Sequence, residues 1–222
     1  VTEFVLFMVF SVVETYALYF LAFSVFKIDQ YPFEMIFSSL IMAFFSYILR
    51  ETYDLTQVDL FLQYFLLFCF LWMLFRINLF YAAVMTGFAY QAYASLQTIT
   101  YLVIKSFGSL PSTFGGKESI SVYLLQLLTA LFSISIGHIV QRKRKGFDFV
   151  PDKQSARVKI GKKEIALLLL NIPSLILVSL TLLISNYLNS FYIILPMIYV
   201  IFLFIYLRIS YQKDRCYAEN DY

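Results

Sequence analysis

Two cysteines and one histidine are all the thiol and imidazole groups that 222 residues supply. Cys69 lies in an apolar run and Cys216 in a polar tail, with no C-x-x-C pair. Neither a zinc site nor a disulfide framework is implied, and Cys69 reads as a small buried apolar residue. Charge is scarce as well: 14% of the chain is Asp, Glu, Lys or Arg, against about a quarter in ordinary soluble domains. The common catalytic and nucleotide-binding signatures are missing: no G-x-x-x-x-G-K-[ST], no H-E-x-x-H, no G-x-S-x-G. No catalytic residue, cofactor or metal is therefore assigned, and no nucleic-acid partner is expected. A cleavable signal peptide is not expected either, because the first segment lacks a basic start and a small-residue cleavage site.

What is present is apolar. Hydrophobic residues make up 61% of the chain, with 25 Phe and 18 Tyr among them. Too little polar surface remains to cover a water-soluble globule, so the expected solvent is lipid. The pattern predicts an all-α, polytopic helical membrane protein with about seven spans, at 4–26, 33–49, 58–76, 78–105, 119–140, 164–186 and 190–209. The second is short, and the fourth is long enough to tilt or bend. Residues 211–222 are expected to begin a cytoplasmic segment. If the second and third segments are not separate crossings, the count falls to six.

Lys and Arg counts orient the spans. The connection at 141–163 holds nine Lys or Arg against two Asp and is placed in the cytoplasm. Arg208, Lys213 and Arg215 place the C-terminus there too. Two spans separate these regions, so their agreement checks the count. Reading back along the chain puts the N-terminus outside.

Glu14 is the most unusual residue, close to the centre of the first span. A carboxylate there is costly unless neutral, paired or facing a polar cavity. Two roles fit it: a ligand, proton or switch site, or a hydrogen-bonded packing residue. In the fourth span Gln91, Ser95 and Thr98 recur on one side, with Gly87 one turn earlier. This stripe should face the bundle interior, as interhelical glue or as a pocket wall, and Ala83 with Gly87 should allow close helix approach. Gln63, Gln97 and Gln126 fall in the outer halves of their spans, with Asp59 and Asn186 adding polarity there. The expected pocket is lined by Gln63, Gln97, Thr98 and Gln126, and Glu14 and Gln91 complete the candidate ligand residues. His138 reads as a packing residue, and Pro173 and Pro196 as kinks. The 141–163 loop is expected to rest on anionic lipid headgroups.

A basic loop before the last hairpin, a very short outer turn at Asn186–Ser190, and a charged exit at Tyr206–Arg215 resemble the sensor region of accessory-gene-regulator type peptide-pheromone receptor histidine kinases. The resemblance is architectural and covers the whole chain. It implies a bacterial plasma-membrane receptor of a two-component system, a homodimer, an extracellular peptide or small ligand, and a signal leaving through the last helix. The phosphoacceptor His and the ATP-binding domain of such kinases are not in this sequence. The alternatives are the substrate-binding membrane component of a small-molecule uptake transporter, and an intramembrane enzyme using Cys69 and His138.

Overall fold

In a computed structural model, residues 2–106, 120–144, 146–150, 162–173, 176 and 194–220 are described. Every regular element among them is helical. They are α1 (Thr2–Val25), α2 (Pro32–Tyr47), a π-helical turn (Ile48–Thr52), α3 (Thr56–Met73), α4 (Leu79–Ser106), α5 (Ile120–Arg142), α6 (Lys162–Leu169) and α7 (Ile194–Asn220). Four helical stretches are long and apolar enough to cross a membrane: Glu3–Val25, Pro32–Thr52, Thr56–Met73 and Val122–Arg142. That composition fits a multi-pass membrane protein.

The helix boundaries have local causes. Pro32 opens α2 at its first position, where a missing N–H costs nothing. Asn78 precedes α4 and accepts the Phe80 N–H on its side-chain oxygen at 3.1 Å. Lys27, Arg76 and Arg144 take left-handed φ values of 50°, 55° and 49° just beyond α1, α3 and α5. Glycine is the usual residue in such a cap. Here each is a cation, which suits the negative end of the helix dipole. These three residues mark one end of the bundle, called the basic end below.

α4 is the central helix. It packs on α1, α3, α5, α6 and α7, while α1 packs on α2, α4 and α5. Its Ala82, Val84, Met85, Thr86, Phe88 and Ala89 are all buried. Because its neighbours shield it, α4 can be more polar than the four stretches above. Apolar side chains cover the outside instead: Val9, Phe37, Phe61, Phe65, Phe132 and Phe204 are exposed. A soluble protein would not leave so many large apolar residues uncovered. Two glycines set close approaches. A Cβ on Gly87 would fall 1.5 Å from the Asn171 side-chain oxygen, and one on Gly137 would fall 2.9 Å from the Phe20 ring.

The sixth predicted span is described only in part, as α6 and Asn171–Pro173, and its remainder lies outside the described residues. The seventh predicted span, 190–209, falls within α7 from residue 194 on, and the helix continues through the charged exit to Asn220. The apolar run stops near 209, and hydrogen bonding along the backbone does not.

Candidate functional site

The end of the bundle opposite the basic end holds a buried polar cluster built around the start of α3. Asp59 is 0% exposed. Its Oδ2 accepts hydrogen bonds from Ser46 Oγ of α2 at 2.9 Å and from Arg50 Nε, which also forms an ion pair with it. Gln63, one turn on, donates from its Nε2 to Asp59 Oδ1 at 3.2 Å and to the Met42 carbonyl at 2.8 Å. Every side of the carboxylate is thus held by a donor, as a buried charge requires. The π-helical turn brings Arg50 back over α3. The Arg50 side chain remains 40% exposed, so the pair is buried on one side and open on the other.

Glu14 of α1 lies within electrostatic reach of both Arg50 and Asp59, beside the Tyr93 hydroxyl of α4. Glu14 is half-buried. Tyr93 is buried, and its hydroxyl has no hydrogen bond of ordinary geometry among the described residues. Tyr90, on the same side of α4, packs its ring 5.2 Å from that of Tyr64. Four α-helices and the π-helical turn therefore contribute to one polar site: Glu14, Ser46, Arg50, Asp59, Gln63 and Tyr93.

The expected pocket residues divide among several settings. Gln63 is in the cluster. Gln91 points elsewhere and donates to the Tyr199 carbonyl of α7 at 3.0 Å. Its Oε1 is buried without a partner among the described residues, as is Oε1 of Gln126 on α5. Thr98 bonds back to the Ala94 carbonyl of its own helix at 2.6 Å, and Gln97 is half-buried beside it. Arg50 and Tyr93 were not singled out from sequence. Arg50 is one of 17 Lys and Arg, and Tyr93 is one of eighteen tyrosines. Asn186 lies outside the described residues. His138 is exposed and Cys69 partly so, and no group of potential metal ligands forms among the described residues.

A second set of buried polar contacts joins α4 to α7. Beyond Gln91, Tyr206 donates from its hydroxyl to the Val84 carbonyl, and Lys213 Nζ lies 3.2 Å from the Tyr81 hydroxyl. Lys213 also sits 4.2 Å from the centre of the Phe149 ring. Residues 146–150 form a strap across this end. Phe147 N–H donates to the Val25 carbonyl at 2.8 Å, Asp148 N–H to Asp214 at 2.8 Å, and Asp148 pairs with Lys27.

With the helices and both clusters in view, comparison with protein-family models, curated proteins and solved structures yields no match to this chain.

Proposed function

We propose that this chain is the membrane sensor region of a bacterial receptor, with seven spans, an external N-terminus and a cytoplasmic C-terminus. It detects an extracellular ligand, a peptide or a small molecule, at the Glu14–Arg50–Asp59 cluster. The signal leaves through α7 toward a cytoplasmic kinase, in a plasma-membrane homodimer. In this orientation the basic end is cytoplasmic and the polar cluster lies toward the outside.

The observation that carries the reading is the position of α4 between the cluster and α7. Tyr90 and Tyr93 share one side of α4. Gln91, Ser95 and Phe88 lie nearly opposite, where Gln91 bonds to Tyr199 and Phe88 packs 5.5 Å from Tyr206. A ligand that shifts Tyr93 moves the helix that holds α7. α7 then runs unbroken into its charged stretch of Lys213, Asp214 and Arg215. Such a ligand acts by preferring one of two arrangements of these helices.

The coding sequence past Tyr222 tests the proposal. A coiled coil, a phosphoacceptor His and an ATP-binding domain are expected. A stop codon there would sink it, and the substrate-binding component of an uptake transporter would take its place.

A further inference from the structure

At the basic end, Gly137 of α5 meets Phe20 and Ser24 of α1. One to two turns later the two helices end at the left-handed residues Lys27 and Arg144, and the chain beyond Arg144 returns to α1, where the Phe147 N–H donates to the Val25 carbonyl. A cleft of about 270 Å³ lies between Lys27 and Arg144. Phe23, Ile28 and Val140 form its apolar part, and Ser24, Lys27, Gln141 and Arg144 its polar part. Drug-sized ligands usually need about 300–1,000 Å³, so this space suits a headgroup better than a whole ligand.

The charges around the cleft are unequal. Lys27 shares its ammonium with Asp148 of the strap, and Asp29 lies two residues further on. Arg144 is exposed and has no ion-pair partner among the described residues. Gln141 adds an exposed amide, while Ser24 Oγ already donates to the Phe20 carbonyl at 2.6 Å. Away from the cleft, α5 continues with exposed Ile139 and Ile136. The Arg144 guanidinium, an ammonium that Lys27 shares with Asp148, and an amide above an apolar strip match a phosphate group that carries acyl chains.

We propose that this cleft binds one anionic phospholipid, its phosphate held by Arg144 and Lys27 and its chains lying along α5. A bidentate guanidinium is well suited to phosphate oxygens, and the ammonium adds a point charge. The occupant adjoins the strap, because Lys27 faces both the cleft and Asp148. The proposal stands apart from the sensor reading and does not depend on it.

The test uses the full chain in phosphatidylcholine nanodiscs containing a graded fraction of phosphatidylglycerol. Native mass spectrometry counts the retained lipid. Wild type should retain one phosphatidylglycerol in preference to phosphatidylcholine. Lys27→Gln and Arg144→Gln should each weaken retention about fivefold, from the usual effect of one basic residue at an anionic surface. The charge-matched pair Arg142→Gln and Lys143→Gln, outside the cleft, should leave it unchanged. Equal weakening by both pairs would reduce the site to diffuse surface charge and overturn the proposal. Millimolar inorganic phosphate should not displace the lipid. Displacement, or binding of phosphate without any lipid preference, would overturn the assignment to a lipid.

Discussion

Asp59 cannot hold its charge in the interior alone. Its hydrogen bonds come from Ser46, Arg50 and Gln63, and only Arg50 brings a compensating charge. Removing one member of a buried pair leaves the other uncompensated, whereas replacing both by apolar residues often costs little. Arg50→Leu should therefore destabilise the purified protein by about 3 kcal/mol, with Asp59→Leu costing less. The double variant should lie closer to wild type than Arg50→Leu does. Thermal unfolding in detergent measures the cycle, and simple additivity of the two losses would show that the pair is not coupled. Asp59 was legible in the sequence as a polar residue at the start of a span. Its partner was not. The two are nine residues apart across a π-helical turn, a spacing with no helical or strand periodicity to reveal it. Glu14 was conspicuous in sequence because it is an acid among apolar residues. Its neighbours come from other helices, and no local pattern in α1 encodes them.

At the level of helices, most boundaries follow from where apolar runs begin and end. Pro32 and Asn78 mark starts that sequence rules recognise, and the fourth span was expected at 78–105 against the observed Leu79–Ser106. For the last helix the resemblance implied a helical exit through Tyr206–Arg215, and α7 runs through that stretch to Asn220. The stripe on α4 was visible, and so was the small residue at Gly87, but the surface it meets was not. That surface is Asn171, which donates from Nδ2 to the Ala83 carbonyl at 2.9 Å. A methyl at Gly87 would occupy the place of the Asn171 side-chain oxygen. Gly87→Ala should cost about 2 kcal/mol through overpacking, read as a lower midpoint of unfolding. Asn171→Ala in the same chain should recover part of that loss, because it removes the clashing atoms, although it gives up the hydrogen bonds to the Ala83 carbonyl and from the Tyr206 hydroxyl. An undiminished loss in the double variant would mean that α4 meets something other than Asn171 at this point.

For the whole molecule, the proposed orientation rests on charge, and the arrangement of the bundle supports it. Lys27, Arg76, Arg144 and the strap that touches Lys213 gather at one end, where α1, α3, α5 and α7 finish. If the positive-inside rule governs insertion, that end is cytoplasmic and the cluster around Asp59 lies toward the other face. The loop at 141–163 and the turn at Asn186–Ser190 should then lie on opposite sides of the membrane. Two single-cysteine variants decide this in a chain where Cys69 and Cys216 are both replaced by serine. Ser190→Cys should react with a membrane-impermeant maleimide on intact cells. Gln154→Cys should react only after the cells are permeabilised. Reversed labelling would turn the protein over, and the ligand site would have to be approached from the cytoplasm. Labelling of both positions from the same side would mean that the segment between them does not cross. The last helix would then no longer lead from an external site to the cytoplasm, and the sensor proposal would lose its output.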